Sequence, residues 1–147
     1  MYQAPSIIIM EHKKVITSEN AAKPLGAYPH ARVAGNLLFL SGIGSRKPDD
    51  SIPGLVIDEK GSKIGHDIEA ECHSVFANVK AVLESSGSVW ENIIDVTVFL
   101  TNMNDFPIYN RVYGDYFHHV QPCRTTVEVN RLPSLISIEL KVIATIT

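Results

Sequence analysis

Two charged residues stand where the neighbouring side chains predict buried strands. Arg124 immediately precedes the strand-like segment 125–131, and Glu139 interrupts the apolar segment 135–147. An arginine guanidinium holds a planar carboxylate through two parallel hydrogen bonds. A glutamate in partly apolar surroundings has a raised pKa and can transfer protons near neutral pH. The pair is therefore typical of a site that binds a carboxylic acid and performs acid–base chemistry on it.

Structural roles for the same residues stay open at this point. Arg124 and Glu139 could form an ion pair with each other or meet solvent at a sheet edge, because structural ion pairs occupy such positions too. Glu128 shares a predicted strand face with Arg124 and is a third charge of this kind. A buried ionised group without a partner is very costly, so each charge must be paired or bind a charged ligand.

Other catalytic patterns are missing from the sequence. The six histidines form neither HExxH nor HxH, and Cys72 and Cys123 have no metal-ligand spacing, so we expect no metal site. There is no GxSxG, and Cys123 has no recognisable base partner, which disfavours nucleophilic catalysis. The run 41–44 is neither a GxGxxG motif nor a P-loop. We expect chemistry without a cofactor.

Composition and charge disfavour several classes of partner. With 147 residues, 45% hydrophobic and 20% charged, the chain has the composition of one globular domain. Its net charge of -3 and the lack of a basic cluster disfavour nucleic-acid binding. No apolar run approaches the roughly 18 residues that span a bilayer, and the N-terminus lacks the pattern of a signal peptide. We therefore expect a cytoplasmic protein that binds no membrane and keeps both cysteines reduced.

The elements that position these residues are predicted in the order strand, strand, helix, strand, helix, strand, strand. The predicted strands are a pair within 31–41 that turns at Gly35-Asn36, then 93–100, 125–131 and 135–147. Asp67 is predicted to cap the first helix, and Asn104-Asp105 the second. This order indicates an α+β fold, in which both helices pack on one face of a mixed sheet.

The remaining expectations concern loops, boundaries and the second face of the sheet. Residues 44–65 are rich in Pro, Gly, Asp, Ser and Lys and predict a long surface loop. Residues 1–12 predict a mobile arm, and 13–147 a single domain. Segments 37–40 and 93–100 are apolar enough to predict strands covered on both faces. The long last strand calls for a partner subunit to cover its second face.

The segment 121–133, which reads QPCRTTVEVNRLP, resembles the signature of the Rid family, the reactive intermediate (imine/enamine) deaminases. The resemblance extends over nearly the whole chain after the arm. Its other matching positions are Leu25-Gly26-Ala27-Tyr28, Gly35-Asn36 followed by Leu40-Ser41-Gly42, Asn104-Asp105-Phe106 with Asn110 and Tyr113, and Ile138-Glu139. Agreement at all of these spacings is specific.

The resemblance implies a chorismate-mutase-like α+β fold, assembled as a homotrimer with its sites between subunits. It implies that Arg124 grips the carboxylate of a small-molecule substrate. Glu139 would orient or deprotonate a water molecule that attacks the imine carbon, after which ammonia leaves. It also implies that the site is lined by Tyr28, Ser41, Gly42 and Asn110.

Two segments are most similar to the 2-aminomuconate deaminase branch of that family. They are 45–49, with the longer loop after it, and 100–106. Because 2-aminomuconate is a dicarboxylate, Arg46 is a candidate to hold its second carboxylate. A solvated loop arginine is the open alternative, since loop charges are usually exposed.

Two rival functions are compatible with the same resemblance. One is a carboxylate-binding or chaperone-like trimer without turnover, which would have no need of an acid at Glu139. The other is an RNA-cleaving translation inhibitor, which the acidic balance of the chain disfavours. The leading interpretation is a cofactor-free deaminase of 2-imino or 2-enamino acids, acting on substrates of the 2-aminoacrylate or 2-iminopropanoate type or on 2-aminomuconate.

Overall fold

The computed structural model describes residues 14–147, so the predicted arm at 1–12 lies outside the described residues. The helices are α1 Ile68–Ser85 and α2 Phe106–Phe117, with 3-10 turns at Trp90–Asn92 and Met103–Asp105. The strands are β1 Val15–Ile16, β2 Ala31–Ala34, β3 Leu37–Leu40, β4 Ile43–Gly44, β5 Val56–Ile57, β6 Lys63–Gly65, β7 Ile93–Leu100, β8 Cys123–Glu128 and β9 Ile138–Thr145.

Seven strands form one mixed sheet, which confirms the predicted α+β class. The order across the sheet is β1-β2-β3-β9-β7-β8, and β4 also pairs with β9. β9 runs antiparallel to β3, β4 and β7, whereas β7 and β8 are parallel. The predicted hairpin is present, because Gly35 takes a φ of 62° in the turn that joins β2 to β3.

The helix ends follow local capping chemistry. Asp67 accepts a hydrogen bond from the backbone N–H of Ala70 at 3.0 Å, which confirms the predicted cap of α1. Asp105 is the residue before α2, as predicted, but its side chain makes no capping bond. Its carboxylate instead accepts a hydrogen bond from His66 Nε2 at 2.8 Å, which ties the start of α2 to the loop before α1.

Both helices cover the same face of the sheet. Buried and partly exposed side chains therefore alternate along β7 and β9. The side chains on the covered face are fully or almost fully buried: Val96, Val98, Leu100, Ile138, Leu140, Val142 and Ala144. On the opposite face Phe39, Phe99 and Ile143 are only half-buried. The prediction that 37–40 and 93–100 are covered on both faces is therefore wrong for a single chain, because both helices lie on one side.

The predicted loop at 44–65 is only partly irregular. Within it, β5 and β6 form a small antiparallel hairpin separate from the main sheet. The strand predicted at 125–131 begins two residues earlier and ends at Glu128. The last strand begins at Ile138 rather than at residue 135, because 129–137 bends back as a loop in which Ser134 has a φ of 63°. Neither described helix has the length and apolarity needed to cross a bilayer.

Candidate functional site

A small cleft opens where the middle of β9 meets the chain segment that follows β3. Its lining includes five of the predicted site residues, which are Tyr28, Ser41, Gly42, Arg46 and Glu139. The cavity volume is about 70 Å³. The structure thus brings together predicted residues that are far apart in the sequence.

Glu139 is the ionisable group at the base of this cleft. A Cβ placed on Gly42 would lie 3.0 Å from Glu139 Oε2, so the missing side chain leaves room for the carboxylate. Burial raises the pKa of Glu139, because desolvation penalises the ionised form. Within residues 14–147, no Lys, Arg or His forms an ion pair with it. Such a carboxylate is suited to accept a proton from a bound molecule.

Ser41 and Tyr28 form the rim of the cleft. The Ser41 hydroxyl donates to the carbonyl of Pro29 at 2.6 Å, which fixes its oxygen with lone pairs available to the cleft. The Tyr28 hydroxyl accepts a hydrogen bond from the backbone N–H of Leu25 at 3.1 Å, and the residue is 45% exposed. Both residues therefore present polar oxygens beside an otherwise partly apolar wall.

Arg46 also lines the cleft, and its side chain is only 15% exposed. Within one chain this side chain is therefore largely shielded from solvent. Its guanidinium donates to the carboxylate of Asp50 and to the carbonyl of Lys23. Because a guanidinium has five N–H donors, two such bonds leave donors for a ligand.

Arg124 lies on β8, outside this cleft, and packs against aromatic rings of α2. Its guanidinium carbon is 4.6 Å from the ring centre of Tyr113, 5.5 Å from that of Tyr109 and 5.9 Å from that of Phe106. Arg124 also donates to Asn110 Oδ1 at 2.9 Å. Cation–π contacts and this hydrogen bond hold the guanidinium in place while it stays exposed to solvent.

The predicted site residues thus form two groups on opposite faces of the sheet. Arg124 is paired with Val96, whose side chain points towards the helices, whereas Glu139 is paired with Phe99, whose side chain points away from them. The register places the two Cα atoms two strands and three residues apart, roughly 14 Å. The alternative of an Arg124–Glu139 ion pair is therefore wrong within one chain.

A polar stripe on α1, which the sequence reasoning missed, holds the segment that carries Arg46. Asn78 Nδ2 donates to the carbonyls of Gly44 and Arg46, at 2.9 and 2.8 Å. One turn earlier, the Ser74 hydroxyl donates to the carbonyl of Ser45 at 2.7 Å. Both side chains are buried. In the sequence, their polar character beside the apolar stripe was the one available indication of a buried role. It does not identify their hydrogen-bond partners.

Glu71 continues the polar stripe by one more turn and is fully buried. Its Oε1 accepts from the Ser45 hydroxyl at 2.7 Å and from the backbone N–H of Ser137 at 2.8 Å. One carboxylate therefore joins the residue before Arg46 to the entry of β9, two residues before Glu139. The stripe fixes both ends of the cleft relative to the helix.

The other candidate side chains have no part in either group. Glu128 accepts a hydrogen bond from the backbone N–H of Met103 at 2.6 Å, so its role is to hold the 3-10 turn before α2. Burial raises the pKa of the Cys72 thiol to about 12, which makes it unreactive, and Cys123 is exposed. In the described part of the chain, no three His, Cys, Asp or Glu side chains converge as a metal site.

We predict opposite effects for two substitutions of Tyr113, whose buried hydroxyl has no hydrogen-bond partner in the described chain. Tyr113→Phe keeps the ring under Arg124 and removes an unsatisfied polar group, so stability is unchanged or rises by about 1 kcal/mol. Tyr113→Leu removes the ring and lowers stability by about 1 to 3 kcal/mol. Urea unfolding measures both, and NMR relaxation at Nε of Arg124 reports its mobility, which only the leucine variant increases. If Arg124 were equally mobile in the two variants, the contact with the Tyr113 ring would not be what restrains its guanidinium.

Comparisons with known proteins agree with the geometry. The family model described as endoribonuclease L-PSP matches residues 18–146. A RutC family protein of Pyrococcus horikoshii is 44% identical, over 90% of this chain and 97% of that protein. The 2-iminobutanoate/2-iminopropanoate deaminase of Dermatophagoides farinae is 33% identical, over 93% of this chain and 99% of its own. E. coli TdcF with bound serine has a TM-score of 0.78 and 31% identity, over 90% of this chain and 98% of that one. With the family model and these relatives each spanning most of its length, the chain belongs to the Rid family.

Proposed function

We propose that this protein is a cofactor-free deaminase that hydrolyses 2-imino and 2-enamino acids to the keto acid and ammonia. The observation that carries the proposal is the desolvated carboxyl of Glu139, which has no ion-pair partner in the described chain and faces a small cleft. A fixed guanidinium at Arg124 supplies the complementary group for a substrate carboxylate. A deaminase of imino acids and a relative with bound serine, itself an amino acid, support this substrate class.

The proposed reaction needs only the side chains of the two groups. An enamine first takes a proton from solvent on carbon to become the protonated imine. Glu139 then accepts a proton from water as the water oxygen attacks the imine carbon, and this gives a carbinolamine. That proton passes from Glu139 to the nitrogen, and the C–N bond breaks as the C=O bond forms. Ammonia leaves and takes up the hydroxyl proton of the carbinolamine, so that it departs as ammonium. Arg124 holds the carboxylate throughout, and the Glu139 carboxylate is regenerated.

The same proposal requires more than one copy of the chain. Since Arg124 lies on the opposite face of the sheet from Glu139, one copy would supply the guanidinium and another the acid. A head-to-tail contact between these two different surfaces can close as a ring. We propose a homotrimer with a site at each of its interfaces. It would also cover the half-buried sheet face that carries Phe39 and Phe99.

We expect both proposed catalytic residues to be needed for turnover. Glu139→Gln keeps the shape but cannot accept the proton, so kcat falls by about 100- to 10,000-fold. Arg124→Ala loses a charge-assisted bidentate contact, so kcat/KM falls by about 10- to 100-fold. Ammonia and keto-acid release from freshly generated 2-iminopropanoate measures both. Arg111→Ala is the matched control, because among residues 14–147 this exposed arginine of α2 pairs with Glu69 alone.

The pH profile of the same assay tests the role of Glu139. As a base it must be ionised, and its pKa is raised, so kcat/KM falls with decreasing pH through a value above the ordinary 4.5 of glutamate. Wild type without activity above buffer would favour a carboxylate-binding trimer. RNA cleavage that survives Glu139→Gln would favour the translation-inhibitor interpretation.

Mixing two inactive variants tests the shared site. Subunits carrying Arg124→Ala and subunits carrying Glu139→Gln each keep the half that the other lacks. After unfolding and refolding at equal amounts, about one quarter of head-to-tail interfaces regain both groups, and activity recovers to about that fraction. Each variant refolded alone keeps only its own residual activity, and light scattering gives the mass of the assembly. No recovery from mixtures with the mass of a trimer would contradict a site shared between subunits.

The finer proposal is that Arg46 holds a second carboxylate and that a dicarboxylate such as 2-aminomuconate is the preferred substrate. The cleft places Arg46 near Glu139, and its guanidinium has N–H donors to spare. Arg46→Ala should raise KM about 10-fold for 2-aminomuconate and leave KM for 2-iminopropanoate within about twofold. Lys47→Ala, an exposed neighbour, is the control. An equal rise in KM for 2-aminomuconate and 2-iminopropanoate would contradict the proposal that Arg46 holds a second carboxylate.

A further inference from the structure

A second hollow lies on the outer side of the loop between β8 and β9. It is bounded by that loop, by β6 and by the residues after β7, and its volume is about 370 Å³. The cleft described above holds about 70 Å³. The second hollow contains none of the residues assigned to the proposed reaction.

The ionisable side chains that line this hollow are all basic. Three basic side chains from separate segments line it, which are Lys63, His66 and Arg131, and none of its lining residues is Asp or Glu. This is the reverse of the whole chain, which has 16 acidic and 13 basic residues. Arg131 is exposed and forms no ion pair among residues 14–147.

Two of the basic side chains are held in place by their own hydrogen bonds. The Lys63 ammonium donates to the Ser137 hydroxyl at 2.5 Å, which leaves two of its N–H groups free. His66 donates to Asp105 at 2.8 Å, so the nearby acid is already paired, and its side chain is only 14% exposed. His66 and Asp105 offset each other, so the positive charge of the hollow comes from Lys63 and Arg131, and none of the lining residues is a carboxylate that would cancel it.

Neutral donors complete the lining. The side-chain oxygen of Asn102 accepts from the backbone N–H of Asn104 at 2.9 Å, which leaves its NH2 group as the part free to bind a ligand. Asn130 and Thr101 add an amide and a hydroxyl. We propose that the hollow is a binding site for a small polyanion, a molecule that carries phosphate or several carboxylate groups.

The site would share a wall with the catalytic cleft. Ser134 and Ile136 line both hollows, and Ser134 has a φ of 63°, a conformation that a residue other than glycine rarely takes. An anion bound to Arg131 and Lys63 therefore contacts one side of a loop whose other side faces Glu139. The binding proposal does not depend on the deaminase proposal, because it is tested by binding alone.

Inorganic phosphate and succinate are the probes, titrated into the full chain while the side-chain amides of Asn102 and Asn130 are followed by NMR. Saturable shifts at these amides with either probe support the site, and the tighter probe identifies the charged group it prefers. Arg131→Ala should weaken binding at least 10-fold, since it removes the exposed cation with the fewest structural contacts. Lys63→Met should weaken it to a similar extent.

Two controls separate this site from other cations. Lys47→Met removes an exposed charge elsewhere and should leave the dissociation constant within about twofold. Arg124→Ala should also leave it unchanged, because Arg124 lies outside the hollow. Binding lost with Arg124→Ala and kept with Arg131→Ala would overturn the proposal. Shifts that do not saturate, or that weaken equally in the Lys47 variant, would overturn it as well.

Discussion

The pairing of β7 with β8 on one side and with β9 on the other determines where the proposed site residues lie. Side chains alternate along a strand, and paired residues point to the same face, so the register alone puts Arg124 and Glu139 on opposite faces of the sheet. Neither group can reach the other without breaking the pairing on which the core depends. A substrate bound by both must therefore lie between copies of the chain. Assembly is a condition of the proposed chemistry, beyond any contribution it makes to stability.

The two groups are prepared by different physical means. Glu139 is partly withdrawn from water and forms no ion pair among residues 14–147, so burial favours the protonated form of its carboxyl. Arg124 stays accessible, and three aromatic rings of α2 limit its motion. If one chain held both, their attraction would satisfy each charge and leave little for a substrate. Keeping them apart preserves both for the bound acid.

The interior of the fold supports the cleft through polar contacts as well as apolar packing. Glu71, Ser74 and Asn78 replace water around a segment that belongs to no long strand, and each bond they make satisfies a group that burial would otherwise leave unpaired. These hydrogen bonds fix the backbone beside Arg46 and at the entry of β9, although Glu71 Oε2 is buried without a partner among residues 14–147. The same loop, 129–137, lines both the cleft with Glu139 and the second hollow. It is therefore the part of the chain through which a ligand in one could affect the other.

The sequence by itself determined the class of fold, the two helices, the hairpin at Gly35 and the residues worth testing, because periodicity, capping and turn chemistry are local. The resemblance to the family predicted Arg124, Asn110 and Glu139 as site residues. Only the tertiary structure decided that these residues divide between two faces, since the parity of strand pairing depends on register and not on composition. It also decided that Glu128 is structural and that Asp105 pairs with His66, because the partner of a charged side chain is set by elements that the sequence places far away.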